Sequence, residues 1–294
     1  MFLEKRLEMV VACFGSAAAG AVFLPLNPVL KPEQVAHTMR DRGARVLVTS
    51  PQRWTGLTEA LGDCVSLHTV VLTDAATPAT AHGAARGVVD WSAWHDAPGS
   101  AGHRVIDTDI AAILYTRGTT GCLKGVVLSH RNMVAGAKSV ASYLRSIADV
   151  TLIAALPLSF DAGFSQLTTA FHVVARVVLL NYLLPRDVLT TMARERGTGI
   201  TAVPPLYIQL ASLEWPNAVR EHLRYFANTG GRMARETLTK LHACAPKALP
   251  FLMYGLTEAF RWTCLPPEKG GSAAGLNRQG DSERCDSGAA RGRH

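Results

Sequence analysis

The sequence predicts an α/β fold built from repeated βα units that form mainly parallel sheets. Three observations carry this. Short β-rich apolar runs alternate with helical runs along most of the chain, the pattern of parallel strands joined by crossover helices. The composition, 48% hydrophobic and 18% charged, supplies a real core and is wrong for a disordered chain. The length, 294 residues, allows one large domain or two ordinary ones.

In chain order, an amphipathic helix is expected near Leu3–Ala19, followed by a strand at Ala21–Leu26. Met1 therefore falls inside a structural element. Pro32 near the start and Gly43 at the end delimit a helix at Pro32–Arg42. Strand Ala44–Ser50, helix Gln52–Leu61 and strand His68–Thr73 complete the first series. Residues 74 to 104, rich in Ala, Gly, Thr and Pro, read as a surface loop or linker. The pattern restarts with strand Ala111–Tyr115, a Gly/Thr loop, helix His130–Leu144 and strand Thr151–Ala155. Helices at Phe164–His172, Arg186–Arg196, Leu206–Glu214 and Glu236–Ala243 then alternate with strands at Ala175–Leu180, Ile200–Val203, Tyr225–Thr229 and Pro250–Tyr254. From Lys269 onward large apolar residues and periodicity almost vanish, and residues 269–294 are expected to be a disordered tail.

The formal charge of +7 is scattered, without a run of five or six like charges, so it does not indicate a nucleic-acid surface but suits an anionic small molecule. The six cysteines show no CxxC spacing and no His-rich partner segment. That argues against a zinc site or a disulfide framework and makes a reducing cytoplasm the expected compartment. No run of 18 apolar residues suggests a membrane span. Glu4 and Glu8 interrupt the superficially signal-like start.

The informative stretch is "ILYTRGTTGCLKGVVLSHRN", Ile113 to Asn132. Glycine-rich backbone can turn several N–H groups toward one anion, a nearby Lys adds a point charge, and Thr hydroxyls can donate to phosphate oxygens. A Gly/Thr/Lys loop after a strand is thus a candidate phosphate cradle, although the Walker A order is absent. On composition alone, an ordinary flexible turn explains the loop equally well.

The order of residues adds more. "YTRGTTGCLKG" resembles the phosphate loop of the AMP-forming adenylating enzymes, whose usual pattern is Y-T-S-G-T-T-G-x-P-K-G. "NTGGRM" (Asn228–Met233) is similar to that superfamily's adenine-pocket Gly-Gly segment, and "MYGLTE" (Met253–Glu258) to its Y-G-x-T-E motif. The three occur in the family's order and span most of the chain. The wider wording, including "LPLSFDAGFSQLTTAFHVVARVVLL", resembles acyl-CoA ligases associated with exosortase systems.

The resemblance implies ATP-dependent activation of a carboxylic acid as an acyl-adenylate, with transfer to coenzyme A. It implies that Thr116, Gly118, Thr119, Thr120, Gly121 and Lys124 embrace the β- and γ-phosphates, that Gly230 and Gly231 let the backbone approach the purine, and that Tyr254 stacks on adenine. Thr257 would hydrogen-bond the α-phosphate, and Glu258 would hold Mg²⁺, a hard cation that prefers carboxylate oxygen. Thr257 and Glu258 are the expected catalytic pair. Taken singly, each has a plainer explanation: Tyr254 as a core aromatic, Glu258 as a solvated carboxylate, Gly230–Gly231 as a turn, His172 as a core histidine and His130 as a helix-start residue. The apolar "DAGFSQLTTAFH" region suggests a non-polar acyl group.

The chain also departs from the family. Arg117 replaces a small hydroxyl residue, and Leu123 replaces a proline that would fix φ; both count against efficient ATP binding. The family begins before the first helix and continues beyond Glu268 into a C-terminal domain carrying a transition-state lysine, so residues 1–268 are expected to be a partial adenylation domain, impaired in the full reaction. Residues Asn277 to Arg284 can be encoded by codons that read Ile-Gly-Lys-Ala-Ile-Pro-Asn after a one-base shift, a family-like segment. The tail accordingly reads as out-of-frame translation. A non-catalytic nucleotide-binding fragment and an adenylation domain loading a carrier-protein thiol are the alternative readings.

Overall fold

The computed structural model describes residues 1–74, 87–95, 103–117, 123–265 and 267. It contains helices α1 (Leu7–Ala18), α2 (Pro32–Asp41), α3 (Pro51–Thr55), α4 (Trp91–His95), α5 (His130–Tyr143), α6 (Asp161–His172), α7 (Pro185–Arg194), α8 (Pro204–Leu210), α9 (Asn217–His222) and α10 (Arg235–Cys244). The strands are β1 (Val46–Thr49), β2 (Thr69–Leu72), β3 (Gly87–Asp90), β4 (Ile110–Arg117), β5 (Leu123–Ser129), β6 (Thr151–Ala154), β7 (Arg176–Leu179), β8 (Gly199–Ala202), β9 (Tyr225–Asn228), β10 (Leu249–Leu256) and β11 (Arg261–Leu265).

Local chemistry explains several boundaries. Proline occupies the first turn of α2, α3, α7 and α8, where its missing N–H costs nothing. Ser129 caps α5: its hydroxyl accepts from Asn132 N at 3.2 Å while Asn132 Oδ1 accepts from Ser129 N at 3.2 Å, a reciprocal arrangement. The Asp187 carboxylate accepts from Leu184 N at 2.8 Å at the start of α7.

Three sheets result. β1, β2 and β3 pair in parallel. The largest sheet has the order β11-β10-β9-β8-β6-β7, parallel throughout except for β11, which is antiparallel to β10. β4 and β5 form an antiparallel pair. The mainly parallel α/β architecture agrees with the sequence reading. Three expectations need correction. The segment at 21–26 makes only an isolated bridge, Phe23 to Ala112, because Leu26 N turns instead to Met1 O at 2.8 Å. Part of the expected linker is structured, since Val88 and Val89 of β3 pair with β2. Residues 123–129, where the sequence predicts a Gly/Thr loop leading into the next helix, form β5.

Side-chain alternation sorts the helices onto two faces of the large sheet. Phe226 of β9 packs with Val188, Met192, Tyr207, Val219 and Leu241 of α7 to α10. Its neighbours Tyr225 and Ala227 pack with Val140 of α5, Ala170 of α6 and Phe251 of β10. The chain passes from β6 through α6 to β7 on one side, then through α7 to β8 on the other. A topological switch point therefore lies between β6 and β8, with a crevice outside their carboxyl ends.

Candidate functional site

Four parallel strands deliver their carboxyl ends to this crevice. β9 ends at Asn228, level with Ala202 of β8 and Leu252 of β10. Thr229 N still donates to Ala202 O at 3.1 Å, and the chain then turns sharply at Gly230, whose φ of +71° lies in the left-handed region that glycine reaches without steric cost. The Asn228 amide closes the turn by donating from Nδ2 to Gly231 O at 2.7 Å. Its Oδ1 is buried without a partner among the described residues. A Cβ on Gly230 or Gly231 would meet Val203 at 3.1 Å or Pro204 at 3.2 Å, so the turn lies tightly against the start of α8.

Beside it, β10 carries Tyr254 and leads into a turn that holds Thr257 and Glu258. Tyr254 is 62% exposed, with its backbone held to β11 through Thr263 Oγ1 at 3.3 Å. It is therefore not a core aromatic, and its ring is free to stack. Thr257 lies close enough to the carboxylate of Asp161, the first residue of α6, for its hydroxyl to favour the charged form. Burial pushes the Asp161 carboxyl above its usual range; the Thr257 hydroxyl and the Ala162 N–H act in the opposite sense, and the nearby Glu258 charge pushes upward again. Glu258 itself is exposed. The turn rests on α5 at Gly136, where a Cβ would stand 2.3 Å from Phe260 O. Phe260 is fully buried with φ of +43°, an unusual conformation for an aromatic residue.

Thr116 and Lys124 are cross-strand partners at the end of the β4–β5 pair where the chain passes from one strand to the other; Lys124 is exposed. Gly118, Thr119, Thr120 and Gly121 lie outside the described residues, as do the side chains of Arg117 and Leu123. One residue back, the Tyr115 hydroxyl donates to Asp41 and accepts from Arg42 Nε at 2.9 Å. The Arg42 guanidinium lies 5.6 Å from the Tyr115 ring centroid and forms an ion pair with Asp41 at 2.9 Å. Burial, reinforced by the bond to Asp41, raises the Tyr115 hydroxyl above its ordinary value. A Cβ on Gly125 would come within 2.9 Å of both Arg42 Nη2 and Ile113 Cγ2, so a larger residue opposite Tyr115 would displace these side chains.

The sequence-expected residues thus occupy two groups. Gly230, Gly231, Tyr254, Thr257 and Glu258 gather at adjoining strand ends, while Thr116 and Lys124 sit on the hairpin that runs directly into α5, the helix supporting the Thr257 turn. Asp161 and Asn228 were not among the expected site residues. An aspartate opening a helix a short loop after an apolar strand was the available signal for Asp161, but it reads equally as a helix N-terminal charge. Among the described residues no three His, Cys, Asp or Glu side chains could together hold a metal ion. The neighbouring Asp161 and Glu258 carboxylates, close enough for their charges to interact, nevertheless suit a cation that takes its remaining ligands from phosphate oxygens and water.

Parallel strands with helices on both faces, and a glycine turn and a Thr-Glu pair at their carboxyl ends, define an α/β protein of the switch-point type. The chain belongs to the AMP-binding enzyme family, whose profile matches residues 1–282. It is 28% identical over 272 residues to 4-coumarate–CoA ligase 5 of Oryza sativa subsp. japonica, covering 88% of this chain and 47% of that protein. It is 26% identical over 261 residues to bacitracin synthase 3 of Bacillus licheniformis, covering 87% of this chain and 4% of the synthase. In fold it matches ATP-bound MatB from Rhodopseudomonas palustris with a TM-score of 0.75 at 24% identity, covering 91% of this chain and 51% of MatB. The chain therefore spans about half of the CoA ligase and a small part of the synthase. Its relatives are adenylating synthetases and CoA ligases.

Proposed function

We propose that this chain carries the nucleotide-binding part of an enzyme that activates a carboxylic acid with ATP and passes the acyl group to coenzyme A. A carboxylate oxygen attacks the α-phosphorus, the bond to the β-phosphate oxygen breaks, and pyrophosphate leaves. The thiol sulfur then forms a bond to the acyl carbon as AMP departs and the thiol proton passes to solvent. Activation is needed because AMP is a far better leaving group than carboxylate oxygen.

The observation that carries this reading is the meeting of Asp161, Thr257 and Glu258 at the switch point, beside the Gly230–Gly231 turn. In this reading Tyr254 stacks on adenine and the glycine turn lets the backbone approach the purine. ATP redirects the Thr257 hydroxyl from Asp161 to an α-phosphate oxygen. Thr116, Gly118, Thr119, Thr120, Gly121 and Lys124 engage the β- and γ-phosphates. Glu258, with Asp161 alongside, supplies oxygens for Mg²⁺, which would neutralise phosphate charge. The acid carries a mainly apolar acyl group, in keeping with the lining of α6, and the protein works in the cytoplasm. Among the described residues no helix is long and apolar enough to cross a membrane.

Calorimetric titration with ATP·Mg²⁺ tests the site. The wild-type chain is expected to bind, and Thr257→Val is expected to bind about tenfold more weakly, the equivalent of one charge-assisted hydrogen bond. A folded wild-type chain that gives no binding overturns the proposal. Binding without ATP–pyrophosphate exchange in the presence of carboxylic acids makes the chain a nucleotide-binding module. The likeness to bacitracin synthase 3 favours a second acceptor, a carrier-protein thiol, which acyl-transfer assays with each thiol distinguish.

A further inference from the structure

Below the Asp161–Thr257 pair, on the α5–α6 face of the large sheet, lies a small cavity. Its wall includes Val140, Leu152, Ala162, Gln166 and Met253. Ala162 follows Asp161 on α6, and Met253 precedes Tyr254 on β10, so the cavity shares both of its principal elements with the candidate site. Most of the lining is apolar. The hydroxyls of Ser165 and Thr169, also at the wall, face each other at 3.5 Å.

Thr201 and Tyr225 also reach the wall, but of these polar side chains Gln166 is the one with a buried atom left without a partner among the described residues. Gln166 is 4% exposed, and its Nε2 donates to Gly163 O at 3.2 Å. That bond fixes the amide orientation, since a carbonyl can be met only by the NH₂ end. The remaining atom is therefore an acceptor, Oε1, and it has no partner among the described residues. A buried carbonyl left in this state costs about 1–3 kcal/mol, a penalty that a ligand able to donate would remove. The cavity, about 20 Å³, has room for one small polar group of the size of a water molecule. Among the described residues no carboxylate lines it, so a neutral donor suits it better than an ammonium group, whose unpaired charge would be costly to bury.

We infer that Gln166 selects an acyl group that is short, mostly apolar and tipped with a neutral hydrogen-bond donor such as a hydroxyl, received by Oε1. This rests on the adenylation reading above. It refines the non-polar acyl group implied by the α6 segment by adding one polar contact at its end.

Two non-hydrolysable acyl-adenylate analogues (acyl sulfamates of adenosine) would test it. Their acyl groups would have equal length, one ending in a hydroxyl and the other in a methyl. Calorimetry on the full chain should give about tenfold tighter binding of the hydroxyl compound. In Gln166→Met, checked by circular dichroism to be folded, the preference should disappear while AMP affinity stays unchanged. If Gln166→Met does not fold, the wild-type comparison decides alone. Equal affinity of the wild-type chain for both analogues, with AMP still bound, overturns the inference and leaves the adenylation reading standing. Failure to bind AMP or either analogue overturns both.

Discussion

The carboxyl ends of β6, β8, β9 and β10 hold one part of the candidate site, and the β4–β5 pair holds the other. At the strand ends the positions are set by exclusion of space. Gly163 lets α6 start against Pro157, Gly136 lets α5 meet Phe260, and Gly230 takes a left-handed turn. At the hairpin the stem is also buried, through Ala112, Leu114 and Leu128, but its loop end is held by an exposed set of polar contacts among Asp41, Arg42 and Tyr115. Buried packing resists change because displaced atoms have nowhere to go, whereas exposed ion pairs contribute little and are screened by salt. If the proposed function holds, nucleotide contacts at the strand ends should be rigid and those at the loop end of the hairpin adjustable.

The sharpest way to break the contrast is Gly163→Ala. Alanine normally favours a helix by about 1 kcal/mol over glycine, but here its Cβ would lie 1.8 Å from Pro157 O. A loss of about 3 kcal/mol or more is expected in urea unfolding, and a stabilised variant would refute the packing account. Gly136→Ala should have the next largest effect. Its Cβ would press on Phe260 O at 2.3 Å, destabilising the fold by about 1–3 kcal/mol and weakening ATP binding by displacing the Thr257 turn.

The pH dependence sharpens the same side. The Asp161 carboxyl titrates above its unfolded value because burial disfavours its charge. The folded state therefore holds this proton more tightly, and its contribution to stability is fully present below the ordinary carboxylate pKa. It is lost as pH rises from there through the raised folded value. Asp161→Asn should flatten that fall when melting temperature is followed across the acid-to-neutral range; an unchanged slope would remove Asp161 as its source. The smallest change is expected from Tyr115→Phe, which removes the hydroxyl joining Asp41 and Arg42. It should cost no more than about 1 kcal/mol yet alter the salt dependence of ATP affinity. A loss as large as that of Gly163→Ala would show that the hairpin is built like the strand ends.

Much of this molecule was legible in the chain alone. The proline opening α2, apolar runs such as that of β6 and the alternation of strands with helices set the fold class, because these are local preferences that tertiary packing here reinforces. The ordered likeness of three segments to adenylating enzymes indicated the family. The β4–β5 pairing escaped notice because the glycine-rich segment between the strands masks the second strand. β11 escaped because an antiparallel return interrupts the βα rhythm. The approach of Asp161 to Thr257, 96 positions later in the numbering, has no local signature at all. Residue types and spacing determined which elements form and which chemistry the motifs could support. Only the tertiary structure decided that Asp161 faces Thr257, that Gln166 Oε1 lies buried without a partner and that Gly136 seats the turn, because each depends on atoms brought together by packing across distant parts of the chain.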